Sequence, residues 1–192
     1  MIKPCIMLLA GLWLVSCGQT PIPESQPVLS QQEVLKRGAY LVEVIGCGDC
    51  HSPKKMTSIG PVPDSDLLLS GHPSEQPLGP INPETLNNWV LFGMSNTVAV
   101  GPWGASFAAN ITSDPTGIGS WSFEQFQTAM TKGKFKGLEA ARDLLPPMPW
   151  PNYQSMAKED LEAIYHYLKS TKPVRNIVPN AMALDELMKN SK

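Results

Sequence analysis

The stretch Cys47-Gly48-Asp49-Cys50-His51 constrains this chain more than any other. It reads C-x-x-C-H, the signature by which haem c is attached. The two thiols can each form a thioether to one edge of a porphyrin, and the imidazole that follows comes under the iron as an axial ligand. A chain built on this motif folds around a large apolar disc, so part of its core is cofactor. Two other uses of C-x-x-C fit less well. Zinc needs four ligands, and with Cys5 and Cys17 consumed as argued below only Cys47 and Cys50 remain, while His72 and His166 lack metal-ligand spacing. A thioredoxin-like pair needs a preceding strand in a βαβ unit, and here a helical pattern leads in.

The 192 residues suit one domain with a real core. A formal charge of -2 leaves no basic patch for nucleic acid. Nineteen prolines and 15 glycines predict long, locally rigid loops, which a covalent cofactor lets a small domain tolerate.

Residues 1–16 read as an export signal: Lys3, then the apolar run 6–15, too short to span a bilayer. The run ends Leu14-Val15-Ser16-Cys17-Gly18, which resembles a bacterial lipoprotein box cut before Cys17. Acylation there would anchor the protein, since each buried methylene contributes about 0.8 kcal/mol. Gly18 after the cysteine points to the outer membrane, by analogy with enteric bacteria. Cys5 leaves with the signal, Cys17 takes lipid, Cys47 and Cys50 take haem, and no thiol is left for a disulfide. Residues 17–29, with Pro21, Pro23 and Pro27, read as a disordered tether.

The domain is expected over residues 30–176. Ser30-Gln31-Gln32-Glu33 is a capping box, and Val34, Leu35, Gly38, Leu41, Val42 and Ile45 fall on one helical face, with Gly46 as the stop. Gly38 inside a helix implies close approach by another element. Residues 52–82 read as loop. Asn82-Pro83 starts a short helix to Phe92 with Leu86, Trp89 and Val90 inward. Residues 98–109 read as irregular packed chain rather than strand. Ser122 caps a helix buried through Phe126, Ala129 and Met130 and ended by Gly133. A last helix over 156–170 presents Leu161, Ile164, Tyr165 and Leu168 to the core and His166 to solvent. Residues 177–192 read as a loose tail. The pattern predicts an all-α protein.

Leu144-Leu145-Pro146-Pro147-Met148-Pro149-Trp150-Pro151 supplies the other half of the site. Prolines on both sides of Met148 restrict the backbone, so presenting the thioether costs little entropy. Standing shortly before the last helix, Met148 can reach the face opposite His51. Met56, Met94, Met130 and His72 are weaker candidates. Met in place of a second His would raise the reduction potential.

These features resemble the class I cytochrome c family. The closer similarity is to the haem domains of the cytochrome subunits of bacterial membrane-bound alcohol and gluconate dehydrogenases. It rests on Ala109-Asn110-Ile111-Thr112-Ser113-Asp114, Thr116-Gly117-Ile118-Gly119-Ser120-Trp121 and Pro146-Pro147-Met148-Pro149-Trp150, and covers residues 31–62 and 104–176. The resemblance implies the class I cytochrome c fold around one haem c. Cys47 and Cys50 would be the thioether pair, with His51 and Met148 the axial ligands. The Pro61 carbonyl would hold the His51 ring, and Arg142, Trp121 and Trp150 would touch the haem. Those subunits usually carry three haems and this chain has one motif, while residues 63–103 lie outside the likeness.

The expected function is single-electron transfer at a periplasm-facing membrane. A dehydrogenase or quinol complex would be the donor and an oxidase or another cytochrome the acceptor, with the chain acting alone or as a subunit. The alternative is a haem enzyme or gas sensor with an open sixth position and His72 near it.

Overall fold

The computed structural model describes residues 29–190. The expected signal segment, Cys17 and nearly all of the expected tether lie outside the described residues.

Helix α1 (Gln31–Val44) begins as the sequence predicts. Ser30 Oγ accepts from the Glu33 amide at 3.3 Å, and the Glu33 carboxylate accepts from the Ser30 amide at 2.8 Å. Gly46, at φ 78°, turns the chain out of α1 and straight into α2 (Cys47–His51). Helix α3 (Phe123–Lys132) has the same two-way cap between Ser122 and Gln125 and stops at Gly133, φ 64°. Helix α4 (Lys158–Ser170) begins two residues later than the sequence suggests, after Ala157 and without a side-chain cap.

Helices α1 and α4 cross at Gly38. A β-carbon there would collide with the Ala163 carbonyl oxygen and lie 2.6 Å from Tyr167 Cβ, so only glycine lets the two backbones approach this closely. Leu41 and Val42 of α1, Phe126 and Met130 of α3, and Leu161, Ile164 and Leu168 of α4 join Leu69 and Ile118 in one core. Arg37 spans the crossing to Asp160 with two hydrogen bonds, at 2.9 and 3.2 Å, and as a partly exposed surface pair they add little.

The all-α expectation is overturned. The protein is mixed, with two antiparallel sheets beside the helices. Strands β1 (Lys54–Thr57) and β2 (Gly60–Pro63) form a hairpin where a loop is expected. Strands β3 (Leu91–Phe92), β4 (Val98–Gly101) and β5 (Gly104–Phe107) form a second sheet in the order β3-β4-β5. All four residues of β4 are buried, so no apolar-polar alternation marks it as a strand. The helix expected from Pro83 to Phe92 is a single 3-10 turn, Pro83–Asn87, capped by Asn82. Leu86 is buried there, but Trp89 and Val90 are exposed rather than inward.

The expected loose tail docks. Met182 and Ala105 exchange backbone hydrogen bonds at 2.9 and 3.0 Å. Helix α5 (Leu184–Asn190) then buries Leu187 against Leu86, Val100 and Ala105, a small second core. The phrase 110–116 is a polar lock that joins this end of the chain to the rest. Asn110 Nδ2 donates to the Val174 carbonyl at 2.8 Å, and Asn110 Oδ1 accepts from the Thr112 amide and hydroxyl. Asn176 Nδ2 donates to the carbonyls of Ser70 and His72.

Candidate haem-attachment site

Helix α2 carries Cys47, Cys50 and His51 within little more than one turn, where Gly46 delivers them from the end of α1. Both thiols are free. Burial pushes the Cys47 thiol up to about 11 and raises Cys50 as well. A redox-active dithiol needs the opposite shift, toward the thiolate. These cysteines are partly buried and outside any disulfide, which leaves both for covalent attachment.

The imidazole of His51 sits deep among neighbouring atoms, although the residue as a whole is only half-buried, and burial holds its pKa below the usual value. Its Nδ1 lies 2.7 Å from the Ala109 carbonyl oxygen. A carbonyl only accepts, so Nδ1 carries the proton and Nε2 keeps the lone pair. Among the described residues nothing hydrogen-bonds that Nε2. A bond of this kind to the far nitrogen fixes tautomer and ring orientation in histidine ligands. The acceptor expected from the resemblance, the Pro61 carbonyl, is corrected: Pro61 lies in β2 opposite Met56, and the chain just after β5 supplies the acceptor instead.

His72 offers the contrast. It is fully buried rather than in a flexible loop, its Nε2 donates to the Gln76 carbonyl at 3.1 Å, and its Nδ1 accepts from the Thr97 hydroxyl at 2.9 Å. Its ring also stands 4.9 Å from that of Phe107. Both nitrogens are used within the protein, so His72 is a structural residue. Burial holds its pKa below the ordinary 6.5, the Gln76 contact opposing in part. The folded protein therefore keeps it neutral while the unfolded chain protonates it below that pH. Its contribution to stability is present above pH 6.5 and is lost as pH falls through the folded-state value. Denaturant titrations at pH 7.5 and pH 5 should show a weaker acid loss in His72→Gln than in wild type. At neutral pH that variant should cost about 1–3 kcal/mol through imperfectly satisfied buried partners. His166 is exposed, as the sequence predicts.

The inserted segment 63–103 reaches the attachment helix directly. From the turn between β3 and β4, Asn96 Nδ2 donates to the Asp49 carbonyl at 2.9 Å and stands 3.7 Å from Cys50 Sγ. From β1, Lys54 Nζ donates to the carbonyls of Asp49, Ser52 and Ser95, at 2.6, 3.0 and 3.0 Å. Asn96 does not stand out in the sequence, because it meets α2 only through the turn that pairs β3 with β4.

Met148 is half-buried against the same helical core that Cys47 lines. Its loop is held on two sides. Ser106 of β5 donates to the Pro146 carbonyl at 2.5 Å, and the Leu144 amide donates to the Gly133 carbonyl at 2.6 Å. The Pro146–Pro147 bond is cis. The 3-10 turn Trp150–Tyr153 follows and brings Tyr153 beside the thiols. Burial raises the Tyr153 hydroxyl, and the charges of Cys47 and Cys50 add to the shift. Tyr153 is a further residue of the site that the sequence does not single out.

The remaining expected contacts have protein partners. Arg142 lies over the Phe135 ring at 4.1 Å and donates to the Asp143 carbonyl. Trp121 is partly buried against the helical core, and its carbonyl accepts from Tyr165 Oη at 2.8 Å. Trp150 lies across Gly133, where a β-carbon would strike the indole.

The residues thus fit a covalently held haem. Two partly buried thiols and a histidine with one nitrogen anchored share a single turn of helix, and a methionine and a tyrosine from the facing loop line the same apolar cluster.

No family model matches the chain. Curated relatives do. Over 79 residues it is 40% identical to a nicotinate dehydrogenase component of Pseudomonas putida, covering 41% of this chain and 6% of that one. Over 75 residues it is 41% identical to the cytochrome c subunit of the quinone-dependent alcohol dehydrogenase of Gluconacetobacter polyoxogenes, covering 38% of this chain and 15% of the relative. Over 135 residues it is 31% identical to the gluconate 2-dehydrogenase cytochrome c subunit of Pantoea cypripedii, covering 70% of this chain and 22% of the relative. The alignments therefore take in less than a quarter of these relatives' length. The attachment helix, the anchored histidine and these matches lead to one statement: the chain is homologous to the cytochrome c subunits of alcohol, gluconate and fructose dehydrogenases.

Proposed function

We propose that the chain is a single-haem electron carrier, with thioethers at Cys47 and Cys50 and with His51 and Met148 as the axial ligands. The observation that carries this reading is the state of the two buried imidazoles. His51 has its Nδ1 committed to Ala109 and its Nε2 free, whereas His72 has neither nitrogen to give. The haem enzyme or sensor reading draws its distal residue from His72 and loses it. When bound, haem c supplies a one-electron Fe(III)/Fe(II) couple. The chain's part is to hold the group by two covalent links, orient His51, and exclude water with the Met148 loop and Tyr153. Two strong ligands would close the iron to substrates, which suits transfer rather than catalysis.

The partner in this reading is a dehydrogenase as donor, in keeping with the names of the relatives; a quinol complex is the other candidate. An oxidase or another cytochrome would be the acceptor. Among the described residues no helix is long and apolar enough to cross a membrane. Attachment in this reading comes from acylated Cys17, with the domain facing the periplasm on the outer membrane.

The test is the oxidised protein itself. Intact mass should show one haem added covalently, and the visible spectrum should be low-spin with no change on adding CO to the reduced form. A mass without haem, or a high-spin spectrum with CO binding, overturns the reading.

A further inference from the structure

The ammonium of Lys54 is the one cation in direct contact with the backbone of the attachment helix among the described residues. Its three donors meet three carbonyl oxygens, those of Asp49, Ser52 and Ser95. A neutral amine has only two N–H groups, so full satisfaction of this site requires the charged form. The carbonyls at the end of a helix have no partner within it. Here Gly48 is assigned to the Ser52 amide, Asp49 to Lys54 and Asn96, His51 to the Gly71 amide, and the capping residue Ser52 to Lys54. Only Lys54 brings a charge. Asn96 completes the clamp from the other side, held at φ 59° in the left-handed region that asparagine tolerates, with its amide against Cys50 Sγ.

We propose that Lys54 is a positioning residue for the haem. With Asn96 it fixes the end of the helix that carries Cys50 and His51, and its positive charge beside the Cys50 thioether raises the reduction potential. This rests on haem attachment at Cys47 and Cys50. The sign follows from electrostatics: a nearby cation favours the iron state with one more electron. At the effective dielectric of a protein site, one charge within about 10 Å of a redox centre is enough for roughly a tenfold change in the ratio of the two states.

The test compares Lys54→Gln and Lys54→Arg with wild type by potentiometric titration, after mass spectrometry of each. Gln keeps donors and loses the charge, whereas Arg keeps the charge. Lys54→Gln should lower the potential by about 59 mV, the one-electron equivalent of a tenfold change, with haem still attached, and Lys54→Arg should stay near wild type. An unchanged potential in Lys54→Gln, or equal shifts in both variants, overturns the proposal while leaving the electron-carrier reading standing. Wild type without covalent haem overturns both. Should Lys54→Gln not accumulate, Asn96→Asp puts an anion against the same thioether. It must lower the potential with haem attached, and no shift there overturns the proposal equally.

Discussion

Met148→Ala is expected to leave haem covalently attached and to lower the reduction potential sharply. The attachment chemistry uses Cys47 and Cys50 on α2, and the Met148 loop takes no part in it. A methionine ligand raises the potential relative to histidine, water or no sixth ligand. Three readouts should move together. The weak sulfur-to-iron charge-transfer band of the oxidised protein should vanish, the midpoint should fall, and the reduced protein should now bind CO. Stability should fall far less, because Met148 is only half-buried and Ser106 and Gly133 still hold its loop. A band that survives in Met148→Ala would remove Met148 as a ligand. Met56 and Met94, both exposed, and Met130, in the helical core, would be poor replacements.

The sequence carries these residues unevenly, for physical reasons. Local signals are legible: two capping boxes at Ser30 and Ser122, helix stops at Gly46 and Gly133, and the need for close approach at Gly38 all have short-range causes. The strands are not. β3 has two residues, β4 is buried along its length, and β1 and β2 hold three positions of Gly or Pro among eight. Neither alternation nor propensity survives in such pieces. The tail reads as loose because its anchors, Met182 and Leu187, have meaning only against β5 and the second core. The acceptor for His51 escapes the sequence for the same reason. A backbone carbonyl has no signature in sequence, and the oxygen that reaches Nδ1 comes from Ala109, 58 residues away.

Gly38→Val should be the most damaging single change outside the haem ligands. The site meets backbone as well as side chain across the crossing of α1 and α4: the Ala163 carbonyl oxygen and Tyr167 Cβ. A carbonyl in mid-helix cannot swing away, so the helices must separate. That loosens the contacts of Leu41 and Val42 with Leu161, Ile164 and Leu168, all nearly fully buried. Overpacking of a tight core costs about 1–3 kcal/mol, and here the obstacle is main chain, which favours the upper end. For a domain of this size each kcal/mol lowers Tm by roughly 2–4 °C, so thermal unfolding of the haem-loaded protein should begin about 5–10 °C lower. Lys36→Val, two residues away on the exposed side of α1, should change Tm little and controls for β-branching within the helix. The damage should also reach the site, because α1 runs through Gly46 directly into the attachment helix. A splayed α1 shifts Cys47 and His51 relative to the Met148 loop, so Gly38→Val should also weaken the sulfur-to-iron band and admit some CO. Loss of stability with an unaltered spectrum would show that α2 takes its position from Lys54, Asn96 and Ala109 rather than from the helix crossing.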